Sequence, residues 1–170
     1  NDGLKFPFAK LIRLIQDQNP QNTPPVSLMI PFGRSLLKAS ADFAHPRVLV
    51  AADFQGPNTD AALGFAPRGQ LFLGFVENAH EIEVVSYNEA AGRYEFQLVQ
   101  NYCEGCVPRI VYARRAICTT CHQGGTPIFP QRPWSEINGQ PEIAAKMPEA
   151  RSPEAYPGPP GGNARPKTGG

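Results

Sequence analysis

No stretch of 18 apolar residues occurs anywhere in the chain, so it offers no candidate membrane-spanning helix. Nor does either sign of charge dominate: 16 Lys and Arg stand against 15 Asp and Glu, a formal net charge of +1. Charge says little beyond that: no basic stripe suggests a nucleic-acid binder, and no acidic block suggests a solvating tail. The common catalytic signatures are missing as well. There is no G-x-S-x-G, no Walker loop and no H-E-x-x-H. The chain opens at Asn1 with no charged-then-apolar leader, the expectation for a processed form if the protein is exported. A cysteine at the first position, which lipoprotein anchoring needs, is also lacking.

Proline and glycine, by contrast, are abundant. They account for 35 of 170 residues, with 19 Pro and 16 Gly, well above the roughly 12% of an average protein. Proline ends or kinks helices, so an all-helical bundle is excluded. The excess is uneven. Pro148 to Gly170 holds 6 Pro and 5 Gly in 23 residues, with no aliphatic side chain larger than Ala. Such a segment cannot bury enough apolar surface to offset its ordering entropy. It is expected to run extended across another subunit or a neighbouring copy of the chain. The remaining length suffices for one domain with a core of its own.

Along that domain, Phe8, Leu11, Ile12 and Ile15 recur at helical spacing, which predicts a short amphipathic helix from Phe8 to Gln18. Asn19 to Pro25 breaks it. Ser27 to Phe32 reads as extended, and Arg34 to Ala41 as a helical turn or two. Strand signals follow at Val48–Phe54, Leu71–Val76, Ile82–Tyr87, Arg93–Val99 and Arg109–Tyr112. Tyr94, Phe96 and Leu98 alternate with Arg93, Glu95 and Gln97, the pattern of a half-buried antiparallel hairpin. No helical stretch separates the last four strands, so an antiparallel meander is expected. Arg114 to His122 reads as one helix, Gly124 to Pro133 as irregular, and Ser135–Asn138 and Pro141–Met147 as short helices.

The chemistry concentrates in four cysteines: Cys103-x2-Cys106, eleven residues, then Cys118-x2-Cys121-His122. Three readings compete. In the first, Cys118-Thr-Thr-Cys121-His122 attaches a haem c. Two thiols three positions apart lie on one side of a helical turn, where each can bond one vinyl-derived carbon of the porphyrin. The adjacent His122 then supplies the proximal iron ligand. Its second ring N–H needs an acceptor, and the carbonyls of Gly124 to Pro127 are in reach. Ile128, Phe129 and Trp134 would wall the macrocycle, and Arg132 or the Trp134 indole would bind a propionate. In the second reading all four cysteines hold a structural zinc. However, eleven residues is a short interval between the pairs, and a His directly after Cys121 has no role there. The third is two disulfides and an incidental His. The carboxylates Asp53, Asp60, Glu81, Glu83, Glu89 and Glu95 read as solvated.

Residues Ile82 to Ala113 followed by AICTTCHQGGTPIFPQRPWSEIN resemble a family of exported bacterial proteins, mostly uncharacterised, with one CxxCH haem motif after a β-rich region. The segment Ile30-Pro-Phe-Gly-Arg-Ser35 shares this resemblance, which spans roughly residues 30 to 145. It implies a monohaem c-type cytochrome domain located in the periplasm or on the cell surface. Cys118 and Cys121 match the thioether anchors and His122 the proximal ligand. Two departures stand out: family members are often longer, and Cys103-Glu-Gly-Cys106 replaces a Gly/Pro-rich loop. Haem c is attached outside the cytoplasm, where thiols oxidise, so Cys103 and Cys106 are expected to form a short disulfide, with a metal-binding or free redox pair as the alternatives. Candidates for the sixth iron ligand are Met147, Met29, His45 and His80, with Met147 favoured by the His/Met precedent.

The expected architecture is therefore α+β, an antiparallel meander of about five strands packed against a CxxCH-bearing helix and loop. Its parts are an N-terminal helix and extended segment (1–47), the sheet (48–112), the haem-binding segment (113–147) and the Pro/Gly-rich tail (148–170). The expected function is one-electron transfer by a covalent haem c within a larger assembly. Its partners would be other redox proteins, membrane-complex subunits or copies of the chain. The alternatives are a haem sensor or small-molecule redox enzyme with an open distal site, and a zinc- or disulfide-stapled assembly protein.

Overall fold

The structure is a computed structural model in which residues 4–18, 25–32, 40–52, 69–127, 137 and 140–147 are described. Six strands form one antiparallel sheet in sequence order: β1 (Val26–Ile30), β2 (Arg47–Ala51), β3 (Leu71–Val76), β4 (Glu81–Asn88), β5 (Arg93–Gln100) and β6 (Arg109–Tyr112). Among the described residues three short α-helices, α1 (Phe8–Asp17), α2 (Arg115–Cys118) and α3 (Pro141–Lys146), and a 3-10 turn at Glu77–Ala79 accompany them. The α+β class and the meander are as the sequence implies. The strand count is six rather than five. β1 pairs with β2 along its whole length, Met29 opposite Val48, so the sheet begins inside the segment expected to lie apart from it. The helix expected over Arg114–His122 stops at Cys118, and the chain turns through Thr119 to Cys121. The segments 34–39, 53–68 and 128–136 lie outside the described residues, as does 148–170.

Residues directly opposite each other in an antiparallel pair share a face. One continuous row therefore runs Met29, Val48, Phe75, Ile82, Val99, and a second runs Ser27, Val50, Leu73, Val84. This is the face α1 covers. Phe8, Leu11 and Ile12 bury here, as their helical spacing predicts. Phe8 stacks on Phe75 at 4.6 Å between ring centroids, and Tyr102 meets both rings edge-on. The Tyr102 hydroxyl donates to the Lys5 carbonyl, pinning the segment that leads into α1. A fully buried Phe contributes about 2–3 kcal/mol by removing apolar surface from water.

The opposite face is defined by the alternate residues. One row reads Leu49, Gly74, Glu83, Leu98, Val111, and the next Ala51, Phe72, Val85, Phe96. Phe72, Val76 and Phe96 are buried here, outside the α1 cluster. The two faces are thus packed separately, and the CxxCH segment belongs to the second.

Candidate functional site

The motif lies on a single tight turn that follows β6. Arg115 to Cys118 complete one helical turn. The His122 N–H then donates to the Cys118 carbonyl at 2.9 Å, and that of Cys121 to the same oxygen at 3.2 Å. The two bonds gather Cys118, Cys121 and His122 around one carbonyl. Both thiols are free, Cys118 half-buried and Cys121 exposed. His122 is half-buried, with its ring 5.1 Å from that of Phe96 at an interplanar angle of 55°. Phe96 is one of the aromatic residues whose alternation marks β5, so the half-buried strand supplies the wall on which the motif rests.

The imidazole is oriented from below. Its Nδ1 stands 2.7 Å from the Thr126 carbonyl oxygen, within the stretch of carbonyls the sequence singles out. A carbonyl only accepts, so Nδ1 carries the hydrogen; in the neutral ring the lone pair is then on Nε2. The loop closes back to make this possible: the Gly125 N–H donates to the His122 carbonyl at 2.7 Å. Gly125 has φ of +65°, and a Cβ there would stand 3.0 Å from Arg115 Nη2. A side chain at this position would be strained by its backbone and crowded by the arginine. Arg115 in turn donates to the Tyr94 carbonyl at 3.2 Å, tying α2 to β5.

The electrostatics of this face centre on Glu83, a carboxylate that the sequence alone places in solvent. Glu83 is only 14% exposed and accepts both Arg47 Nη2 at 2.7 Å and Arg47 Nε at 3.1 Å. The arginine reaches it from β2 across β3, and Gly74 leaves the room: a Cβ there would lie 2.6 Å from Arg47 Nη2. Glu83 also acts on the motif. Burial, and then the Glu83 carboxylate, hold the Cys118 thiol above the ordinary thiol range. No periodicity in the sequence separates Glu83 from Glu81 or Glu95; only register reveals that it crosses Gly74. Glu95 is likewise half-buried, paired with Arg93 at 2.8 Å.

The remaining expected site residues distribute differently. Cys103 and Cys106 are joined by a disulfide, Cα atoms 5.3 Å apart, in the loop between β5 and β6. Met147 does not join His122. It packs with Leu4, Phe6 and Ile15 against the α1 cluster, on the far face of the sheet. Met29 is 4% exposed in the same cluster. His45 is held by Asp42, whose carboxylate accepts the His45 backbone N–H at 2.6 Å, and this bond lowers the Asp42 pKa. His80 is exposed in a left-handed conformation just before β4. Phe129, Arg132 and Trp134, expected to line the pocket, lie outside the described residues, as does Ile128.

Among the described residues, no group of three or more His, Cys, Asp or Glu side chains is spaced to hold a metal ion. The two CxxC pairs therefore do not converge into a four-cysteine cage. A haem c asks less of the protein: two free thiols on one turn, an imidazole beside them and an acceptor for its second nitrogen. Those requirements match the residues present. No protein family, curated protein or solved structure matches the chain.

Proposed function

We propose that the chain is a monohaem c-type cytochrome domain that transfers single electrons outside the cytoplasm, as part of a larger assembly. The observation that carries this reading is the His122 Nδ1–Thr126 carbonyl bond on the turn that also presents two free thiols. Orienting an imidazole through its second nitrogen is what a metal-ligating histidine needs, and here the oriented ring stands on the same turn as both thiols. Cys118 and Cys121 would anchor the porphyrin through thioethers, and His122 would ligate the iron. When bound, the group supplies reversible one-electron chemistry. The chain's own residues fix the imidazole, wall one side of it with Phe96 and set the local charge with Glu83 and Arg47.

The placement of the methionines and histidines supports a second reading at the iron. Met29 and Met147 are the chain's two methionines, and both pack into the α1 cluster on the opposite face. Both stand across the sheet from His122, an arrangement compatible with an open position at the iron. An open position at the iron would suit a haem sensor or small-molecule redox enzyme. An absorption spectrum of the full chain, matured in a host that attaches haem c, separates the readings. Sharp α and β bands on reduction support the six-coordinate carrier. A high-spin spectrum that shifts with carbon monoxide supports the open site. Absence of a Soret band sinks both.

A further inference from the structure

We propose that the β6 edge of the sheet docks an extended acidic segment of a partner protein, which adds as a seventh strand. The proposal stands apart from the haem reading and holds whether or not haem is attached. β6 ends the sheet and, among the described residues, pairs with β5 alone. Val111 lies opposite Leu98 and Arg109 opposite Gln100, and the Ala113 N–H donates to the Phe96 carbonyl at 2.9 Å. In an antiparallel ladder alternate residues turn their backbone groups toward the partner strand. Arg109, Val111 and Ala113 face β5, so Ile110 and Tyr112 offer their N–H and C=O groups to the open side. The same two residues expose their side chains, Ile110 by 61% and Tyr112 by 71%, and Val107 just upstream by 84%. Unpaired backbone groups flanked by exposed apolar side chains form a template for strand addition.

Charge selects the occupant. Arg109, Arg114 and Arg115 are exposed around this edge, and among the described residues none is paired with a carboxylate. Arg109 reaches only the Gln100 amide oxygen at 3.4 Å, and Arg115 a backbone carbonyl. Pairing two copies of the chain through β6 would gather the arginines of both at one seam, where like charges repel. The chain's own Pro148–Gly170 segment carries Arg151, Arg165 and Lys167 against Glu149 and Glu154, so it offers no complement. A strand alternating acidic and apolar residues does. Its carboxylates would meet Arg109 on one face, and its apolar side chains would cover Ile110 and Tyr112 on the other.

The test titrates full chain into a fluorescein-labelled Glu-Val-Glu-Ile-Glu-Val-Glu peptide, read by anisotropy, with the Lys-for-Glu peptide as control. The acidic peptide is expected to bind and the basic one not. Tyr112→Pro removes an outward N–H while sparing the β5 ladder, and is expected to weaken binding by about tenfold or more. The double variant Arg109→Glu, Arg114→Glu is expected to lose the acidic peptide and gain the basic one, which keeps the test informative if Tyr112→Pro does not fold. Undiminished binding to a folded Tyr112→Pro chain would reduce the surface to a plain cationic patch and overturn the proposal. So would binding of neither peptide, or a sedimenting dimer that Tyr112→Pro dissolves, which would make a second copy the occupant.

Discussion

The two faces of one sheet have been given different work. Beneath α1, the rows Met29–Val48–Phe75–Ile82–Val99 and Ser27–Val50–Leu73–Val84 hold no charge, and α1 closes over them with Phe8 at its centre. Across the sheet, an arginine and a glutamate meet over a glycine, a half-buried thiol feels that glutamate, and an oriented imidazole rests on Phe96. The strands are the same in both cases; only alternate residues differ. The closed face can be built from packing alone, whereas the other sets polar and reactive groups on a framework already held rigid by the first. Damage to the α1 face should therefore unfold the chain, and damage to the other should leave a folded chain without its chemistry.

The largest expected effect on stability comes from Phe8→Ala, which removes the ring stacked on Phe75 and should cost about 3–5 kcal/mol in urea unfolding. A loss under about 1 kcal/mol would mean α1 does not close the core. Replacing Cys118 and Cys121 together with Ser should abolish covalent haem while the far-ultraviolet circular dichroism of the sheet persists. If the sheet collapses instead, the motif is structural and the division between faces fails. Met147→Ala probes the comparison from the other side. It should lower stability by about 1–2 kcal/mol and leave the spectrum at the iron unchanged. A switch from low to high spin would place Met147 at the haem and refute its assignment to the α1 face.

The smallest effect concerns the thiols of the haem-free chain. Alkylation proceeds through the thiolate, and burial followed by the Glu83 carboxylate raises the Cys118 pKa, outweighing a backbone hydrogen bond that lowers it. Cys118 thus holds less of the reactive thiolate and is also half-buried, whereas Cys121 is exposed, so Cys121 should react first. Glu83→Gln removes the second-largest cause and should quicken Cys118, with burial still keeping it behind the exposed Cys121. Unchanged Cys118 kinetics in this variant would show that Glu83 does not act on the motif.

Much of the sheet was legible in the sequence because alternation along a strand is local: Tyr94, Phe96 and Leu98 announce β5, and Phe8, Leu11, Ile12 announce α1. The place of β1 was not, since its pairing with β2 joins segments separated by residues 31–46, and nothing local encodes that partner. The motif itself was readable from five residues, and so was the kind of acceptor His122 needs. Its charged neighbours were not. Glu83 looks like any solvent-facing strand glutamate until the register sets it across Gly74 from Arg47. Met147 illustrates the same limit. Its position after the motif suggests an iron ligand, but tertiary packing delivers it to the opposite face.

The most direct test of the central claim is mass spectrometry of the proteolytic peptide carrying Cys118 to His122, from full chain exported by a host that matures c-type cytochromes. One peptide carrying a single haem bound through both cysteine sulfurs is expected, lost when either Cys118 or Cys121 is replaced. Recovery of that peptide with unmodified thiols, or with Cys118 and Cys121 joined to each other, would contradict it.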